Sequence, residues 1–88
     1  MINDKEIMFG YLGEAYIKAV NEGLNRRINE NKIVDYFIDK YRSSSLKQKK
    51  KRIVEDMRKM LMDFEKINKL IEEGVSENNV ILAKDFLL

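Results

Sequence analysis

The chain contains no proline and only four glycines among its 88 residues. Because proline and glycine are the residues that most often interrupt a helix, helical periodicity can continue through long stretches of this sequence. Apolar residues recur at helical spacing along the chain, and no run of alternating residues predicts a sheet. We therefore predict an all-α protein, a small bundle of three to four helices in one domain covering residues 1–88.

Capping and turn residues set the predicted helix boundaries. The predicted helices span about residues 4–28, 32–42, 46–73 and 77–87. Gly10 and Gly13 lie inside the first of them, each at a cost of about 1 kcal/mol relative to alanine, which predicts close approach of a neighbouring backbone or a bend. The last segment stays open, because residues 77–88 fit either a helix or a strand.

The third predicted helix is unusually long for this chain. At about 28 residues it would measure roughly 42 Å, starting at a capping box of Ser45 and Gln48. A compact chain of this size is roughly 30 Å across, so the helix should extend beyond its own domain. Its apolar residues alternate at spacings of four and three, as in a coiled coil. We expect homodimerisation through this seam, with the interface residues Ile53, Met57, Met60, Phe64, Ile67 and Ile71.

Cysteine and histidine are both absent from the sequence. Their absence excludes disulfides, thiolate chemistry, zinc sites of the usual kinds and Ser-His or Cys-His nucleophiles. Pairs such as Asp35 with Asp39 have no metal-loop pattern around them, so we interpret them as surface charge. We expect no enzyme, and therefore no catalytic residues, no metal site and no cofactor.

The longest apolar runs are far shorter than the roughly 20 residues of a membrane span. The first residues, MINDKEI, also lack the basic and apolar regions of a signal peptide. We expect no membrane span and a cytoplasmic location. A bias towards Lys, Asn and Ile is typical of AT-rich bacterial or phage genes.

Positive charge is concentrated in one part of the chain. Residues 40–52 carry seven cations and no anion, whereas residues 1–39 carry five cations and seven anions, and residues 53–88 carry five and eight. The block falls where a helix begins, and the helix dipole disfavours cations there. A solvated helix end, with Lys51 paired to Glu55, is one interpretation. We favour an anionic partner bound by Lys40, Arg42, Lys47, Gln48, Lys49, Lys50, Lys51 and Arg52.

The kind of anion is suggested by the local pattern. A short helix, a three-serine turn and a second helix with a basic start have the outline of a helix-turn-helix. In such an arrangement Gln48 would bond adenine while the lysines hold phosphates. We predict a small regulator that binds nucleic acid, duplex DNA rather than RNA. The alternative is a helical adaptor or inhibitor that docks through the seam, steered by its lysines to an acidic protein surface.

Overall fold

The computed structural model describes residues 2–24, 27–72 and 85–88, and for residues 70–72 it describes the backbone only. The described residues form three helices and no strand: α1 (Asp4–Asn21), α2 (Glu30–Lys40) and α3 (Lys50–Glu72). The prediction of a small all-α bundle is therefore confirmed.

Helix α1 ends at Asn21, well before the predicted boundary at residue 28. Gly23 follows with a φ angle of 106°, which glycine adopts readily and other residues do not. The amide of Leu24 then donates to the carbonyl of Ala19 at 2.9 Å, as in a Schellman motif. The glycine and the apolar residue after it thus stop the helix and turn the chain towards the core.

Helix α2 lies close to its predicted position, although it begins and ends two residues earlier than the expected 32–42. The side chain of Asn29 caps its first turn by accepting a hydrogen bond from the amide of Lys32 at 3.2 Å. One face of the helix is buried and consists of Ile33, Val34 and Phe37.

Helix α3 starts at Lys50, four residues later than predicted, and has 23 residues rather than about 28. Residues 46–49 form turns, in which the amide of Lys49 is shared between the carbonyls of Ser45 and Leu46. The first turn of α3 contains three cations and no acidic residue of its own, an arrangement that the helix dipole disfavours. The predicted end at residue 73 lies outside the described residues.

Helix α1 packs against both other helices, and one apolar cluster joins all three. The connection between α1 and α2 adds two buried residues, Leu24 and Ile28. The side chains with the lowest exposure in this cluster are Met8, Leu12, Ala15, Ala19, Ile33, Val34, Phe37, Ile53, Met57 and Leu61. The core is therefore built within one chain.

The end of the chain returns to the connection between α1 and α2. Leu87 forms an isolated antiparallel bridge with Ile28, and the amide of Asn29 donates to the carbonyl of Phe86. The fourth predicted helix, 77–87, is not seen in residues 85–88, which form a turn and this bridge. Residues 77–84 lie outside the described residues.

Candidate nucleic-acid interface

The segment richest in cations, residues 47–52, spans the last turn before α3 and the first turn of the helix. We call it the basic segment. Residues 41–49 connect α2 to α3, so the connection is much longer than the three-serine turn expected from the sequence. Lys47, Gln48 and Lys49 precede α3 instead of forming its first turn. The helix-turn-helix outline is therefore not found, because too many residues separate the two helices.

Three of the predicted binding cations are paired with carboxylates of the same chain. Lys40 lies 3.3 Å from Asp56, and Arg42 is paired with Asp39. Lys50 lies 2.9 Å from Glu14 of α1. Their positive charge is partly neutralised, so these three cations contribute less to anion binding than the sequence predicts.

Lys50 is positioned by more than one contact with α1. Its ammonium group lies 5.9 Å from the centre of the Tyr11 ring, and the Tyr11 hydroxyl donates to the carbonyl of Leu46 at 3.5 Å. The hydrogen bond that Lys50 donates to the Glu14 carboxylate, together with the negative charge of that carboxylate, raises the pKa of Lys50 above its usual value. These contacts fix the start of α3 against the middle of α1.

The remaining lysines of the basic segment, Lys47, Lys49 and Lys51, are in a different state. None of them makes an ion pair with a carboxylate in the part of the chain that the structure describes. Lys47 and Lys51 are exposed and Lys49 is half-buried. The pairing of Lys51 with Glu55 does not form, because Glu55 contacts Lys18 at 3.4 Å and Arg58 at 3.6 Å.

Gln48 and Arg52, the other two predicted contact residues in the segment, are both exposed. Arg52 lies close enough to Asp56 to help lower the pKa of that carboxylate. Gln48 keeps an accessible amide next to the unpaired lysines. The structure thus brings together three unpaired lysines, one amide and one partly compensated arginine.

The predicted seam of α3 is largely covered by its own chain. Ile53, Met57 and Phe64 are buried, with exposures of 0%, 0% and 3%. They contact the chain's own core, so in this fold they are not available to a second copy. Met60 and Ile67 are half-buried, and the side chain of Ile71 lies outside the described residues.

The half-buried part of the seam lines a groove of about 870 Å³ between α2 and α3. We call it the α2–α3 groove. Tyr36, 42% exposed, lies edge-on to Phe37 and Phe86 with ring centres 5.1 and 5.6 Å apart. The apolar side chains of its lining are Tyr36, Phe37, Met60, Phe64, Ile67 and Phe86. The groove was not predicted from the sequence. The only sequence feature that indicated it was Tyr36, which helical spacing places on the outward side of α2.

Charges around the groove are mixed but mainly negative. Among the described residues that line it are five aspartates and three lysines. Asp63 and Asp85 make no ion pair with any described residue, whereas Asp35 lies 3.7 Å from Lys5. Asp39 and Asp56 are also paired, with Arg42 and Lys40, so the lining has only a small excess of acidic over basic side chains.

No cluster of three or more acidic side chains in the described ranges is arranged to hold a metal ion. A membrane-spanning segment is likewise not found among the described helices. Comparison of the chain with protein-family models, curated proteins and solved structures finds no match. Its function is therefore inferred from its residues and their geometry.

Proposed function

We propose that this protein is a small, cytoplasmic regulator that binds nucleic acid, duplex DNA in particular, through the phosphate backbone. The observation that carries the proposal is the set of Lys47, Lys49 and Lys51, which have no carboxylate partner among the described residues. Nearby cations of the same chain, such as Lys40 and Lys50, do have one. Lysines that are unpaired and close together suit a polyanion, because each bound phosphate releases a counterion from the nucleic acid.

The preference for a duplex rests on the absence of stacking groups in the basic segment. Proteins that bind single strands usually place aromatic rings against successive bases. Residues 42–52 contain no aromatic residue. A rigid row of phosphates is therefore a better match for these lysines than unpaired bases are.

Insertion of α3 into the major groove is not part of this proposal. The lysines that precede α3 lie in turns, and Lys50 is held against α1. Contacts to phosphate position a protein on DNA without selecting a sequence, so we expect weak sequence preference. Gln48 is the residue able to add a base contact.

Binding to a fluorescent duplex across a salt series tests the proposal. With about three phosphate contacts, log K should fall with log[salt] at a slope of about −3. Replacing Lys47, Lys49 and Lys51 together by Gln should remove most of the binding. The matched control replaces Lys59, Lys66 and Lys69 by Gln, which makes the same change in net charge on exposed positions of α3.

The two triple variants separate a local site from general attraction. If the site is the basic segment, the control should keep its affinity within about threefold while the first variant loses at least tenfold. Equal losses would mean that only net charge matters, and wild-type protein without measurable binding at low salt would overturn the proposal.

A second candidate function is supported by the α2–α3 groove. Grooves with aromatic lining and half-buried aliphatic side chains are typical docking sites for an amphipathic helix. Because acidic residues outnumber basic ones around this groove, the expected occupant is a partner helix with lysine or arginine beside its apolar face. This differs from the acidic partner expected from the sequence.

Two synthetic peptides with the same apolar face, one flanked by lysine and one by glutamate, test this second candidate. Chemical shifts of Met60 and Tyr36 should respond to the lysine peptide at lower concentration. Replacing Tyr36 by Ala, at a partly exposed position, should weaken that response. No response to either peptide, or preference for the glutamate peptide, would contradict a basic partner.

Dimerisation remains part of the proposal, but not through the α3 seam. Ile53 and Met57 are already buried within one chain. A second copy has to use a surface that the core leaves exposed.

A further inference from the structure

Helix α1 has a second apolar face, opposite the one that contacts the core. Gly10, Gly13, Ile17 and Val20 recur at intervals of three, four and three residues, and all of them are exposed. Ile17 is 66% exposed and Val20 is 57% exposed. We call these four residues the outer stripe. The intervals place them along one side of the helix, as in the seam of a coiled coil.

The two glycines of the outer stripe have no explanation inside the chain. A side chain at Gly10 or Gly13 would meet no other atom within 4 Å. Both lie within a regular helix, where glycine is about 1 kcal/mol less favourable than alanine. The close approach expected from the sequence is therefore not made by another segment of this chain among the described residues.

The stripe is sterically complementary to itself. If two α1 helices pack antiparallel about a two-fold axis near residue 15, Gly13 faces Ile17 and Gly10 faces Val20. Each bulky side chain then meets a position without a side chain, which allows the backbones to approach closely. In a parallel pair each residue would face the same residue of the second copy. Ile17 would then face Ile17, and each glycine would face a glycine and leave a gap.

Charges beside the stripe fit the same arrangement. Glu14 and Lys18, one turn apart on one edge, are paired within the chain with Lys50 and Glu55, and both side chains remain about half exposed. In an antiparallel pair, equivalent edges of the two helices lie side by side, so Glu14 comes close to Lys18 of the second copy. Opposite charges then face each other at two symmetry-related places.

We propose that the outer stripe of α1 binds a second copy of this chain in an antiparallel pair. The occupant is the chain itself because the stripe matches itself in both shape and charge. One helix of 18 residues buries less than the roughly 800 Å² per partner of a standard interface. We therefore expect a weak dimer, with a dissociation constant of micromolar or higher.

Sedimentation equilibrium without nucleic acid, from micromolar to millimolar protein, tests the pairing. Wild type should show a monomer–dimer equilibrium. Ile17→Lys should shift the dissociation constant upwards by at least tenfold. Ile2→Lys is the matched control, because Ile2 is equally exposed at 68% but lies outside the stripe, and it should leave the equilibrium unchanged.

Replacing Gly13 by leucine distinguishes close packing of the two helices from nonspecific hydrophobic association. Gly13→Leu adds apolar surface and a better helix former, so the monomer should become more resistant to heat. The same side chain would collide with Ile17 of the second copy, so association should weaken at least tenfold. Stronger association of this variant, or wild type that stays monomeric at millimolar concentration, would overturn the proposal.

The register is testable because the chain has no cysteine of its own. A mixture of Gly13→Cys and Ile17→Cys chains, distinguished by a tag, should form a mixed disulfide faster than either forms with itself. Faster self-linking of Ile17→Cys would indicate a parallel pair and would refute the antiparallel one.

Discussion

The Asp56 carboxylate joins the end of α2 to α3. It accepts hydrogen bonds from the Tyr41 hydroxyl and from Lys40. Burial alone would raise the pKa of Asp56, but these two donors and the charge of Arg52 lower it below its usual value. Burial and the neighbouring carboxylate raise the pKa of Tyr41 to about 12. The charged form of Asp56 is thus the one that the fold stabilises.

We predict that Asp56→Asn lowers the free energy of unfolding near pH 6 by about 1 kcal/mol, a modest value because the carboxylate is partly exposed. A carboxylate with a lowered pKa in the folded state stabilises the fold above its unfolded pKa and loses that effect as pH falls through the folded value. The difference between wild type and variant should therefore shrink between about pH 5 and pH 2. Urea unfolding at several pH values measures it, and a constant difference would contradict this role for Asp56.

Single-residue contacts were only partly predictable. The pairing of Lys51 with Glu55 followed from their spacing on one helix, but Glu55 pairs with Lys18 of α1. Lys50 likewise contacts Glu14, 36 positions away in the sequence. Helical spacing shows neighbours on the same helix, whereas these partners come from another helix and depend on the fold.

At the scale of elements, α2 was well predicted because its cap and apolar face are local signals. The end of α1 was missed, although Gly23 followed by Leu24 is a recognisable Schellman signal. The start of α3 was placed too early because Ser45 and Gln48 match a capping box. The helix dipole does not explain the later start, because the observed first turn contains three consecutive cations, Lys50, Lys51 and Arg52.

Two cap variants test these helix boundaries. Asn29→Ala should lower the free energy of unfolding by about 1 kcal/mol, because the Asn29 side chain accepts the amide of Lys32 in the first turn of α2. Ser45→Ala should change it by less than about 0.5 kcal/mol, since α3 begins only at Lys50 and Ser45 is exposed. Thermal unfolding followed by circular dichroism compares the two. If Ser45→Ala lowered the free energy of unfolding as much as Asn29→Ala or more, the result would support the capping box and the earlier start of α3.

At the scale of the whole molecule, helical class and the location of positive charge were predictable, but the role of the α3 seam was not. Apolar residues at coiled-coil spacing pack equally well against a second copy or against helices of the same chain. Here Met57 and Phe64 belong to the chain's own core, which also contains residues of α1 and α2. Sequence periodicity identifies a buried face without identifying what covers it.

Because one apolar cluster joins all three helices, we expect the chain to unfold as a unit. Leu12 of α1 is 1% exposed in the centre of this cluster. Leu12→Ala should leave a cavity there and lower the free energy of unfolding by about 2 to 5 kcal/mol. Ile2→Ala, at an exposed position, is the control and should change it by less than about 0.5 kcal/mol. Helix content and tyrosine fluorescence should report the same urea midpoint in each protein. If the two probes gave different midpoints in Leu12→Ala, α2 and α3 would remain folded together without α1. That result would contradict a core that depends on the contacts of α1 with α2 and with α3.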